Sequence, residues 1–268
     1  MKFARVMLPA ALALAAGVLS AHDMFLKPVN FFPAPNSTFK VAGLNGTFTT
    51  SENAVTGDRI ADLSVATASG RTSLPIDEWK SVGKMNEVTV TAGAAGTYAI
   101  GVSVKPNRID LTADQFNEYL RSDGVRDVLA ARRSAGELGK PAREQYSKHL
   151  KTLVQVGDTR DAGFGAVFGY PAELVALTNP YAPGAAEIRV RALVDGRPRA
   201  NQLLQIGGRT HTGARLPVSE VRTDAQGEAT IKLRPGVWFV KFIHREKAPA
   251  GAGVDYESKW ATLTFAVR

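Results

Sequence analysis

Over most of the chain, apolar and polar residues alternate with the period-two rhythm of half-buried strands, in short runs broken by glycine, proline, asparagine and aspartate. Phe25 to Phe32 is apolar and aromatic and stops at Pro33, Pro35 and Asn36. Phe39-Lys40-Val41-Ala42 reads as a strand leading to Asn45-Gly46, a strong two-residue hairpin signal, with Thr47-Phe48-Thr49 expected to return. Asp62 to Ala68, Glu87 to Thr91 and Gly96 to Val104 alternate in the same way.

The rhythm changes at Thr112. Thr112 to Gln115 has the pattern of a capping box, and Phe116, Tyr119 and Leu120 follow at helical spacing. Val125, Val128 and Leu129 continue after Gly124, and Pro141 suits the first turn of a further helix reaching about His149. Two or three short helices are therefore expected over 112–150, with Leu153 to Val156 a strand again.

Pro180, Pro183 and Gly184 mark a boundary. Beyond it, Ile188 to Val194, Gln202 to Ile206, Val218 to Arg222, Glu228 to Leu233, Trp238 to His244 and Trp260 to Val267 read as strands. Turn residues separate them, as at Asp195-Gly196, Asp224 to Gly227 and Pro235-Gly236. The expected fold class is mainly β, with two β-sandwich domains, residues 22–180 and 184–268, the first carrying the helical insertion.

The first 21 residues stand apart. Lys2 and Arg5 precede an apolar run, Val6 to Val18, and no acidic residue appears before Asp23. This is the layout of a secretory signal peptide, and the run is too short to span a membrane. Cleavage after Ala21 would leave His22 first but puts Leu19 where a small residue is preferred; cleavage after Ser20 would leave Ala21 first. The mature protein is expected in the periplasm, without a membrane span.

The chain contains no cysteine, which removes disulfides, thiolate metal sites and a thiol nucleophile. Losing Lys2 and Arg5 with the leader takes the formal charge from +8 to +6. The basic residues are scattered and export removes most nucleic acid from reach, so no nucleic-acid partner is expected.

Without thiols, imidazole and carboxylate are the strong metal ligands, and there are four histidines: His22, His149, His211 and His244. As the first mature residue, His22 would offer a free amine and a ring nitrogen to one metal. Alternation places His244 with Trp238, Val240 and Phe242 at a strand end, as a ligand or a hydrogen-bonded rim residue. His149 falls late in the expected helical stretch, where the macrodipole alone could favour it, and His211 lies in a polar loop. No serine-nucleophile elbow, helical zinc motif or phosphate loop occurs. Asp255 and Glu257 read as solvated acids, and Tyr256, Trp260 and Trp238 as a core cap in preference to a sugar platform.

Several strings together resemble one family. They are Ala21 to Lys27, Asn45 to Phe48 with Ser51-Glu52-Asn53, Phe116 to Leu120, Tyr146 to His149 with Gln155-Val156-Gly157, Gly169-Tyr170-Pro171, Asn179-Pro180-Tyr181, Thr223 to Gly227, Gly236-Val237-Trp238, and Tyr256 to Phe265. The family is a group of exported bacterial proteins of unknown function, often labelled a nickel-uptake, substrate-specific region. The resemblance implies a carboxypeptidase-regulatory or prealbumin-like C-terminal sandwich and members that begin with histidine after cleavage. It matches His244 and His149 to family positions, and His211 more loosely.

These readings converge on a non-enzymatic periplasmic protein that binds a transition metal, with His22, His244 and His149 as ligands, and hands it to a membrane transporter. Nickel, cobalt, copper and zinc all suit such nitrogen donors. Two rivals are a β-sandwich module binding an envelope glycan or partner protein, and a metalloenzyme built on the terminal histidine.

Overall fold

The computed structural model describes residues 22–268; the expected leader and its cleavage site lie outside the described residues. In chain order the first strands are β1 (Asp23–Pro28), β2 (Thr38–Gly46), β3 (Ile60–Thr67), β4 (Gly70–Ser73), β5 (Lys80–Val82), β6 (Met85–Thr91) and β7 (Gly96–Leu111). Helices α1 (Ala113–Ser122) and α2 (Arg126–Ser134) follow, then β8 (Ala142–Val156) and β9 (Ala172–Ala176). The remainder comprises β10 (Glu187–Val194), β11 (Arg197–Pro198), β12 (Leu203–Arg209), β13 (Arg215–Arg222), β14 (Glu228–Lys232), β15 (Gly236–Lys247) and β16 (Tyr256–Val267).

The strands form three sheets. A central eight-stranded sheet has the order β13-β12-β15-β16-β8-β7-β3-β4. One face packs against the four-stranded sheet β1-β2-β6-β5, the other against β11-β10-β14 with β9 beside β10. The protein is thus mainly β and built by sheet-on-sheet packing. The two expected sandwiches share their middle layer. The parallel pair β8–β16 is the seam, and β9 crosses the expected boundary in the other direction by pairing with β10.

Successive residues of β8 show how one strand serves both cores. Leu150, Val154 and Val156 enter the core beneath β1, β2 and β6, while Leu153 enters the opposite core with Leu174, Val190, Val240 and Phe265. A third cluster fills the end of the first face: α1 lays Phe116, Tyr119 and Leu120 on Ile243, Tyr256 and Trp260. Phe116 and Phe265 are completely buried, each worth roughly 2–3 kcal/mol of transfer free energy. At Gly207 the bare backbone admits the ring of Phe239 from the next strand, and a Cβ there would fall 2.6 Å from Phe239 Cζ.

Two expectations are corrected. The helical stretch ends at Ser134, and Ala142–Val156, which includes His149, is a strand. The cause is burial on both faces: from Ser147 to Val156 every β8 residue is buried, so no polar–apolar alternation marks it as a strand. The expected return strand at Thr47 to Thr49 is a turn, closed by Thr47 N–H donating to Thr50 O, and β2 pairs with β1 and β6 instead. The capping box of α1 is present as read, with Gln115 N–H donating to Thr112 Oγ1 and Thr112 N–H to Gln115 Oε1.

Candidate functional site

His22 sits just before β1, beside the turn that follows β2. The β1–β2 register opposes Asp23 to Gly46, which brings the 47–53 turn alongside His22. Glu52 N–H donates to Asn45 O, and Ser51 Oγ donates to Lys84 O at 2.8 Å, so the turn is braced from two directions. Across this frame His22 Nε2 lies 2.9 Å from Glu52 Oε2, with the imidazole about one-third exposed. The backbone beneath is tied to the central sheet: Lys148 Nζ donates to His22 O, Lys241 Nζ lies 2.5 Å from Asp23 Oδ2, and Thr264 Oγ1 donates to Leu26 O. Burial lowers the Lys148 pKa to about 8, offset in part by Asp23, Asp123 and Glu144.

The other two expected ligands lie elsewhere. Lys148 reaches His22, so its neighbour His149 points to the opposite face of the sheet. There His149 Nδ1 is 2.9 Å from Ser103 Oγ and Nε2 is 3.0 Å from Ser147 Oγ, which occupies both ring nitrogens. Burial pushes its pKa down to about 3, with the Lys259 charge adding to the effect. His244 shares that face, two strands away. Lys259 stands directly opposite it on β16, and Ser147 opposite Lys259 on β8. Its pKa is lowered first by burial and then by Arg199, and its nearest acid is Glu246, 3.4 Å from Nε2. A lysine ammonium between two histidines repels a metal cation. His22, His149 and His244 therefore do not converge, and among the described residues no group of three histidine or acidic side chains is spaced to hold a metal. His211 Nε2 lies 2.8 Å from Val267 O.

Beneath α1 a second polar group is assembled from four elements. Glu144 on β8 and Arg245 on β15 are fully buried, and Arg245 Nε donates to Glu144 Oε1 at 3.0 Å. Arg245 Nη2 is also 3.0 Å from that oxygen, at an angle that makes an ion pair but no hydrogen bond. Ser258 Oγ donates to the same oxygen, and the guanidinium stacks 4.3 Å from the Tyr119 ring centroid. Several atoms of this group have no partner: Glu144 Oε2, Arg245 Nη1, Tyr119 hydroxyl and Asp123 Oδ2. Burial raises the Asp123 pKa to about 7 against the pull of Arg245 and Lys241, and raises that of Tyr119.

The remaining candidates take structural places. Asp255 accepts from Arg143 N–H at 2.7 Å, a contact that holds its pKa down. Tyr256 and Trp260 are buried under α1, and Trp238 is buried in the core on the other face of the sheet, so the three rings form no sugar platform. Reading the residues missed Glu52 as the partner of His22, and also Lys148, Glu144 and Arg245. Strand parity would have placed Glu144, Tyr146 and Lys148 on one face, but only once 142–156 is read as a strand.

No curated protein matches the chain. Among solved structures, the D0-D1 domain of intimin is similar at 11% identity over 91% of this chain and 98% of that one, with a TM-score of 0.22. A two-domain fibronectin type-III segment from chicken tenascin is similar at 10% identity over 92% and 98%, with a TM-score of 0.21. At these scores neither likeness carries weight, and the sandwich architecture rests on the sheets themselves. The model of one family, described as Domain of unknown function (DUF4198), matches residues 19–246, and the chain belongs to that family.

Proposed function

We propose that this protein handles a transition metal in the periplasm, holding the ion at His22 once the leader is removed and passing it to a membrane transporter. The observation that carries the reading is the His22–Glu52 contact of 2.9 Å on backbone anchored to the central sheet. Glu52 engages Nε2, which leaves Nδ1 on the side of the residue's own backbone nitrogen. An amine of pKa about 8 and this Nδ1 can close one six-membered chelate ring. Glu52 then acts as the orienting carboxylate that sets the tautomer of a ligating histidine. His149 and His244 have no part in this site. Two nitrogen donors fit nickel, cobalt, copper or zinc, and the bound metal would supply a labile cargo ion, with no reaction required.

The test begins with the intact mass of protein exported on its own leader. Nickel, cobalt, copper and zinc are then titrated into that sample. The expected result is a chain beginning at His22 that binds one equivalent of metal, with binding lost in His22→Ala and weakened about tenfold or more in Glu52→Gln. A chain that begins at His22 and binds none of the four ions at about micromolar concentration contradicts the reading.

A specific feature favours a second reading, the binding module. Phe25, Phe48 and Phe239 pack with centroids 5.0–5.3 Å apart at the floor of a cleft rimmed by Arg209 and Arg215, with the Lys241–Asp23 pair on its wall. Aromatic rings with cations around them suit an acidic glycan. Under this reading Arg209→Ala and Arg215→Ala abolish binding to an acidic polysaccharide, and His22→Ala leaves it intact.

A further inference from the structure

A second cleft opens beside His22. Side chains alternate along β1: Asp23 turns to Lys241, so the His22 side chain falls on the side of Met24. Asn45 stands opposite Met24 on β2, and both line a cleft of about 240 Å³. Lys148 lines it too, and Lys148 Nζ donates to His22 O, so the cleft reaches the chain at His22 itself. Asn53 lines it from the turn that carries Glu52, Arg59 from the residue before β3, and Tyr146 from β8.

The lining is one-sided in charge and in hydrogen bonding. Among the described residues no carboxylate lines the cleft. Arg59 Nη2 donates to Lys105 O at 2.9 Å, and Arg59 forms no ion pair among the described residues. Asn45 Nδ2 donates to Asn53 Oδ1 at 3.1 Å, and Asn107 Nδ2 donates to the Tyr146 hydroxyl at 3.3 Å. These bonds use up acceptors and leave donors: the Asn53 amide nitrogen and the Tyr146 O–H have no acceptor among the described residues. Two cations and two spare donors in one small space suit a carboxylate. They also bear on the metal. A divalent ion held by His22 meets like charge from Lys148 and Arg59, and Glu52 supplies a single negative charge against the two. An anion seated in the cleft removes that repulsion.

We propose that this cleft seats a small chelating carboxylate, of the dicarboxylate class, which completes the coordination of the metal held at His22. The amine and Nδ1 of His22 are two donors, whereas these metals take about four ligands or more, so at least two positions stay open. One carboxylate group pairs with Arg59 and the Asn53 amide, and the other turns to the metal. The volume is below the range typical of drug-sized ligands, which restricts the occupant to a small molecule. The inference rests on the metal reading of His22 and names the form of the cargo: a metal–carboxylate complex in place of a bare ion.

The test is equilibrium dialysis of nickel(II) against the full mature chain, with and without malonate, at constant ionic strength set by chloride. Malonate itself chelates nickel, so without a shared complex it can only weaken the apparent affinity. The expected result is the opposite, a tightening of about fivefold or more, and nickel should tighten malonate binding by the same factor. In Arg59→Gln the tightening should fall below about twofold. Asn53→Asp lies at the surface, keeps the oxygen that accepts from Asn45 and adds a negative charge to the lining, so malonate should there weaken nickel binding. Nickel binding that malonate leaves unchanged or weakens in the parent overturns the proposal and leaves the His22 reading standing. Tightening that persists in Arg59→Gln and Asn53→Asp overturns it as well. Absence of nickel binding both with and without malonate overturns the two together.

Discussion

Two buried ion pairs lie on opposite faces of β8, and their difference separates a fully satisfied polar group from a partly satisfied one. On one face Lys151 Nζ bonds Glu173, and both residues are 2% exposed. Every polar end there is used: Glu173 accepts from Phe168 N–H at 2.8 Å and Gly169 N–H at 3.0 Å, and Lys151 also donates to Ala166 O. On the other face Glu144 and Arg245 are equally shielded, yet Glu144 Oε2 and Arg245 Nη1 have no partner. The first pair is closed and welds β8 to β9. The second is open: part of its carboxylate and of its guanidinium stays unpaired although both side chains are shielded from solvent. Burial alone does not distinguish the two; the count of satisfied atoms does.

The largest expected effect is at the closed pair. Glu173→Gln leaves the Lys151 ammonium without its counter-charge and should cost about 3–5 kcal/mol in urea denaturation. Glu144→Gln should cost less, about 1–3 kcal/mol, because several polar atoms of this pair, Glu144 Oε2 and Arg245 Nη1 among them, already lack partners in the parent. Equal losses would erase the distinction between the faces.

A pH experiment sharpens it. His149 lies on the closed face with a pKa pushed down to about 3, against an unfolded value near 6.5. Between those values the unfolded chain binds the extra proton. Its contribution is therefore complete above about pH 6.5 and falls as pH drops toward 3, by about 5 kcal/mol at most. His149→Asn should flatten this part of the stability–pH curve relative to the parent; an unchanged slope would contradict the closed, neutral histidine.

The smallest effect separates the helices. Thr112→Val should cost about 1 kcal/mol through loss of the capping box, whereas Val125→Thr, which keeps the shape packed against the cluster under α1 and removes no cap bond, should change stability by no more than about 0.5 kcal/mol. Thermal melts of the two variants check this.

Much of the architecture was legible in the sequence wherever a strand has one wet face. β3, β6 and β10 alternate and were found, as were the Asp195-Gly196 turn and the α1 capping box. Of β8 only the Leu153 to Val156 end was, because the earlier part carries Glu144, Lys148, His149 and Lys151 at buried positions where the pattern expects apolar residues. Reading it as helix hid the parity that sends Lys148 to His22 and His149 away from it. The shared central sheet was hidden for a related reason: the parallel β8–β16 pairing joins residues more than one hundred positions apart, and no local signal records it. His22 stood out from its position behind the leader-like segment, but Glu52 did not, because only the β1–β2 register brings them together.

The most direct test of the metal reading compares the three histidines in one assay. Copper(II) and nickel(II) are titrated into mature protein beginning at His22, and into its His22→Ala, His149→Asn and His244→Asn variants. The metal reading predicts that His22→Ala abolishes stoichiometric binding and that the other two leave it within about twofold of the parent. Binding that survives His22→Ala, or that is lost with His149 or His244, would contradict it.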